Sequence, residues 1–131
     1  NQEALKYARE IAQDLKEGNI PNEKLIIKTQ ITRDLAAYSS IGPHVAIAQR
    51  LQARGERILP GTMVEYIIAK GSGLILERAK LLSEIGLGQY DPEYYLNHQL
   101  LPAVSSIFAV FGYREEDIFS DSSQTGLGKF F

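Results

Sequence analysis

Two short apolar stretches set what this chain can fold into: Lys24-Leu25-Ile26-Ile27-Lys28-Thr29-Gln30 and Thr62-Met63-Val64-Glu65-Tyr66-Ile67-Ile68-Ala69. Both have the β-branched content of strands, and each follows a turn signal, Asn19-Ile20-Pro21-Asn22 and Arg57-Ile58-Leu59-Pro60-Gly61. The mixed alternation of the second predicts a sheet covered on one face and partly on the other. Helical patterns surround them. Ala4 to Lys16 carries Leu5, Ala8, Ile11, Ala12 and Leu15 at helical spacing, with Gly18 as a stop. His44 to Arg54 turns Val45, Ala48 and Leu51 inward and ends at Gly55. The longest helix is expected from Pro92 to about Phe111, capped by Asp91, stopped by Gly112 and kinked by Pro102. Its apolar stripe runs through Tyr95, Leu96, Leu100, Val104, Ile107, Phe108 and Phe111. Residues 74–82 fit either a strand or a short helix.

With 131 residues and no Cys, the chain is one ordinary domain held by its core, without disulfides, thiolate metal sites or a Cys nucleophile. The absence of Cys fits a reducing compartment, and a cytoplasmic setting without membrane contact is the expectation. No apolar run approaches the roughly 20 residues of a membrane span, and the Asn1 start suggests a chain cut from something longer. The net charge of −2 hides an uneven distribution. Residues 24–80 hold nine Lys/Arg against four Asp/Glu, whereas residues 81–131 hold two against seven. A basic centre between acidic flanks is either a footprint for a phosphate backbone or an ordinary solvated mixture.

Within that centre, Thr32-Arg33 directly follows the first strand, where a hydroxyl and a guanidinium can meet phosphate oxygens; alternatively Arg33 pairs with Asp34 or a helix end. His44 opens the second helix, where an imidazole can donate to phosphate or serve packing, and with only two His in the chain a metal site is not expected. Lys70-Gly71-Ser72-Gly73 is a loop whose glycines allow close approach of backbone to an anion; it is neither a Walker nor a Rossmann motif, and a plain flexible turn fits equally. Tyr94-Tyr95 fits a helix core better than a stacking platform. No paired carboxylates in apolar surroundings, Ser/His/Asp set or metal-ligand spacing is evident, so a self-sufficient active site is not expected.

The chain ends in Gln124-Thr125-Gly126-Leu127-Gly128-Lys129-Phe130-Phe131. Adjacent Phe residues on a polar, Gly-containing end are costly to leave in water, so a partner is expected to cover them. The competing view is that they pack on the chain's own core.

Several stretches together resemble the thumb of archaeal family-B DNA polymerases: Gln30-Ile31-Thr32-Arg33-Asp34-Leu35, Gly42-Pro43-His44-Val45, Pro60-Gly61-Thr62, Lys70-Gly71-Ser72-Gly73, and Arg78-Ala79. Glu93-Tyr94-Tyr95, Asn97, Gln99-Leu100-Leu101-Pro102-Ala103-Val104 and Phe111-Gly112-Tyr113-Arg114 continue in the same order. The tail resembles that family's clamp-binding box through Gln124, Leu127, Phe130 and Phe131. The resemblance implies an α+β fold, helices packed around a small antiparallel sheet with a flexible C-terminal tail. It divides the chain into a thumb at 1–118, a linker at 119–123 and a clamp-binding tail at 124–131.

It further implies that Thr32, Arg33, Lys70, Gly71, Ser72, Gly73, Arg78 and Asn97, with Lys28 and His44, contact the backbone of primer–template duplex. Leu74 departs from the family's pattern, which often has a basic residue there. Catalytic Mg2+ is expected in a palm that this chain lacks, and no cofactor is expected within it. The implied function is that of a non-catalytic part of a DNA-directed DNA polymerase, which grips duplex and tethers the enzyme to the PCNA-type sliding clamp. Its partners would be DNA, the clamp and the remaining polymerase domains or large subunit. The alternative is a clamp-interaction module, or the small subunit of a split polymerase, with little DNA affinity of its own.

Overall fold

The computed structural model describes residues 2–103, and within them the chain divides into two compact units. Of the described residues, one unit contains 2–20 and 92–103; the other is Pro21–Asp91.

The second unit is built on an antiparallel three-stranded sheet in the order β1-β2-β3, formed by Ile27–Gln30 (β1), Met63–Ile68 (β2) and Ala79–Lys80 (β3). Ile27 faces Tyr66 and Gln30 faces Met63; on the other edge Ile67 faces Lys80. The central strand is the most covered: its first residues alternate, Met63 and Glu65 exposed and Val64 buried, and then Tyr66, Ile67 and Ile68 are all buried. The sheet is therefore covered on one face along its length and on both near Ile68, as the alternation predicts.

Helix α2 spans Pro43–Ala53 and packs against β2 and β3 through Val45, Ile47 and Ala48, each fully buried. Proline at its first position has the backbone angle a helix needs and no N–H to satisfy. Leu51, expected inward, is half-buried, while Ile47 sits deeper. Burial of Ile31, Ile47, Ile67 and Ile68 contributes about 1.5–3 kcal/mol each before chain entropy is counted.

Two expected boundaries shift. The first strand starts at Ile27, because Asn22–Leu25 closes a 3-10 turn after Pro21, with the Lys24 N–H bonded to the Pro21 carbonyl at 3.0 Å. Residues 74–82 combine a 3-10 turn at Ile75–Arg78 with the two residues of β3, and a further 3-10 turn occupies Leu82–Glu84.

In the other unit, α1 (Gln2–Lys16) buries Ala8, Ala12 and Leu15 and packs against α3 (Pro92–Tyr95) and the π turn Leu96–Leu100 that continues it. The helix expected from Pro92 is thus not uniformly α. The Leu101 N–H reaches the Leu96 carbonyl, five residues back. Pro102, lacking an N–H and crowding the preceding turn, accounts for a widened turn at that place. The remainder of that expected helix, the 118/119 boundary and the tail lie outside the described residues. No helix among the described residues is long and apolar enough to cross a membrane.

Candidate nucleic-acid interface

The connection from β1 to α2 gathers three of the sequence-predicted residues around one that the sequence did not single out. Ile31, fully buried, extends the strand pairing: its N–H bonds the Thr62 carbonyl at 2.8 Å, and its carbonyl accepts from Gly61 at 2.6 Å. That anchor leaves Thr32 and Arg33 exposed at the sheet's end. The 3-10 turn Leu35–Ala37, pinned by buried Leu35, then returns the chain so that Tyr38 lies beside them.

The Thr32 N–H donates to the Tyr38 hydroxyl at 3.0 Å, and the Thr32 hydroxyl lies 3.3 Å from the same oxygen. The Arg33 guanidinium sits 5.0 Å from the Tyr38 ring centre, a cation–π distance. The His44 ring meets Tyr38 edge-on at 5.8 Å and 85°. Gly42 makes room for that imidazole, since a Cβ there would come within 3.3 Å of its Nδ1. The phenol is held below its ordinary value, first by the hydrogen bond with the Thr32 side chain, then by the Thr32 N–H, with the Arg33 charge adding to it. Among the described residues Arg33 makes no ion pair, so neither Asp34 nor a helix end takes its charge. A signal for Tyr38 existed: it is an aromatic directly before Ser39-Ser40, in a connection outside every helical or strand pattern and close in sequence to Thr32-Arg33.

The loop at residues 70–73 is built differently. Its base is held by Lys70 N–H to Gln89 O and Ala69 N–H to Arg78 O, both 2.9 Å. Lys70, Gly71, Ser72 and Gly73 are all exposed. Gly73 has φ of +98°, and a Cβ there would meet the Glu77 carboxylate at 2.9 Å. The anion-holding reading must therefore contend with a negative charge against the loop. Leu74, at the position that departs from the family's pattern, is 61% exposed.

Arg78 is drawn inward. Its Nη1 donates to the Ala69 carbonyl at 3.1 Å and to the Asp91 carboxylate, and the paired side chains are only 16% and 17% exposed. Lys28 faces Glu65 across the strands with 3.9 Å between charged atoms, in an open pair. Arg50 and Arg54 converge on Glu84, Arg54 at 2.9 Å, and Arg50 also donates to the Ala79 carbonyl at 3.1 Å. The Glu84 carboxyl is lowered to about 2, chiefly because it accepts the Leu81 N–H, with both arginines adding to that. Asn97 belongs to the other unit, half-buried in the π turn, where His98 lies over Tyr94 at 4.6 Å. Gln124, Leu127, Phe130 and Phe131 lie outside the described residues.

In chemical terms, the Tyr38 cluster can offer hydroxyl, guanidinium and imidazole donors to an anion. Among the described residues no group of three or more His, Asp or Glu is gathered that could hold a metal ion.

The model of DNA polymerase family B matches residues 1–111. The chain is similar to a DNA polymerase of Thermococcus litoralis, 49% identical over 129 residues, which are 96% of this chain and 8% of that protein. A DNA polymerase of Thermococcus sp. (strain 9oN-7) is 48% identical over 130 residues, 97% of this chain and 17% of that one. The solved family B DNA polymerase from the hyperthermophilic archaeon Pyrobaculum calidifontis matches with a TM-score of 0.71 at 35% identity, over 84% of this chain and 15% of that structure's. The chain thus spans well under a fifth of the length of these relatives. On a family match over most of its residues, this chain belongs to DNA polymerase family B.

Proposed function

We propose that this chain acts as the thumb of a DNA-directed DNA polymerase, gripping primer–template duplex by sequence-independent backbone contacts. The observation that carries the proposal is the set around Tyr38 formed by exposed Thr32 and Arg33 and half-buried His44, with the Arg33 charge engaged by no carboxylate among the described residues. Phosphate oxygens are the acceptors such donors suit, and contacts of this kind fix a protein on duplex without reading bases. Lys70 and Ser72 supplement them within the same unit, whereas Arg78 supports the loop from beneath; Asn97, in the other unit, is proposed as a separate backbone contact. Catalytic Mg2+ would belong to portions of the polymerase outside this chain.

The tail at 124–131 would tether the polymerase to the sliding clamp, Leu127, Phe130 and Phe131 entering an apolar pocket and Gln124 hydrogen-bonding beside it. Burial of each large side chain contributes about 1.5–3 kcal/mol gross, offset by ordering of the segment. Titration with primer–template duplex at increasing salt tests the grip: affinity falls steeply with salt, and Arg33→Ala weakens it on every sequence. Calorimetry with the clamp, with and without residues 124–131, tests the tether.

A second reading has its own support. Lys28, Arg50, Arg54 and Arg78 all face carboxylates, which reduces the positive charge left for DNA. On that reading the chain is a clamp-interaction module, or the small subunit of a split polymerase, and the same titration finds negligible duplex affinity.

A further inference from the structure

We propose that Tyr38 is a positioning residue for the duplex grip, holding Thr32 and Arg33 in one fixed arrangement toward backbone phosphate oxygens; the proposal rests on the DNA reading above. Thr32 and Arg33 are exposed on a segment that has just left the sheet, and Arg33 has many rotamers open to it in water. Tyr38 constrains both at once, through its hydroxyl on Thr32 and its ring beneath the guanidinium.

Counting donors makes the arrangement specific. The Tyr38 oxygen accepts the Thr32 N–H, and the two hydroxyls share one hydrogen bond in which either can donate. Two hydroxyl protons are present and one is used between the pair. Whichever way that bond points, one hydroxyl proton remains for an outside acceptor beside the Arg33 guanidinium. The backbone N–H, by contrast, is already engaged. The pair therefore presents one neutral donor and one cation at adjacent positions, matched to the two non-bridging oxygens of a phosphodiester. His44 meets the same ring edge-on at 5.8 Å, a further contact that holds Tyr38 in place.

Tyr38→Phe separates positioning from donor count, because it leaves the Thr32 hydroxyl proton available, and frees the Thr32 N–H besides, but removes the oxygen that aims them. Tyr38→Leu removes the ring under Arg33 as well. Duplex binding by the 131-residue chain is measured for both variants, for Arg33→Ala and for Arg33→Ala/Tyr38→Leu, at several salt concentrations and well below each melting temperature. Tyr38→Leu is expected to weaken binding about two- to fivefold, the exposed cation–π range expressed as affinity. Tyr38→Phe, which keeps the ring, weakens it less. The double change is expected to bind only marginally worse than Arg33→Ala alone, since most of what Tyr38 does passes through Arg33. Independent effects that multiply in the double variant, or unchanged binding by Tyr38→Leu, overturn the positioning role. An Arg33→Ala variant that binds like wild type instead overturns the DNA reading itself, and the Tyr38 proposal with it.

Discussion

Two loops leave the same sheet carrying basic residues, and they use them in opposite ways. After β1, Arg33 stays at the surface, stacked on a tyrosine and engaged by no carboxylate among the described residues. After β2, Arg78 turns inward to the Ala69 carbonyl and the Asp91 carboxylate, and Glu77 stands against Gly73. A cation beside a neutral ring keeps its charge for a ligand; a cation beside a carboxylate has used it. Location in a basic segment is thus a poor guide to which arginine can meet phosphate.

The comparison breaks most readily at Arg78. Arg78→Ala leaves the largely buried Asp91 without the guanidinium, and unfolding in urea is expected to show a loss of about 3 kcal/mol. A variant of unchanged stability and weakened DNA binding would put Arg78 back among the ligands.

Glu84→Gln has the next largest effect. The folded carboxyl, at about 2, lies below its ordinary 4.5, so its contribution is complete above about 4.5 and is lost as pH falls through that value toward 2. Arg50 and Arg54 are 40% and 52% exposed, so solvent screening reduces the value of the cluster to about 1 kcal/mol. Wild type should lose that increment between pH 5 and about pH 2, and Glu84→Gln should lack it at pH 7. Equal acid sensitivity in the two proteins would mean that another group controls the transition.

Lys28→Ala is expected to change stability by less than about 0.5 kcal/mol, because its pair with Glu65 is 65% and 53% exposed. A weak pair also leaves Lys28 able to exchange its partner for phosphate, so a small fall in duplex affinity with unchanged melting sharpens the contrast with Arg78.

Elements whose residues speak for themselves were legible in the sequence. The two main strands and α2 follow from β-branched runs, helical spacing and the stop at Gly55. What depends on distant partners was not. β3 is two residues long and exists only because Ile67 and Ile68 pair with it. The 3-10 turn at Asn22–Leu25 starts within the turn signal but takes Lys24 and Leu25 from the stretch with strand content, and nothing local marks those two as its end. The charge map misled for the same reason. Glu84 and Asp91 count with the acidic segment 81–131, yet they fold onto Arg50, Arg54 and Arg78 of the basic one. Thr32, Arg33 and His44 were identifiable as candidates, but the residue joining them, Tyr38, gains its meaning from a turn that returns the chain after six residues.

The most direct test of the account is the salt dependence of duplex binding by the 131-residue chain and its Arg33→Ala variant, with primer–template DNA of two unrelated sequences. A slope of log affinity against log salt that is steep in wild type, shallower by about 1 in the variant and the same for both sequences is the predicted result. Affinity that ignores salt, or a slope left unchanged by Arg33→Ala, would contradict a grip built on Arg33 and phosphate.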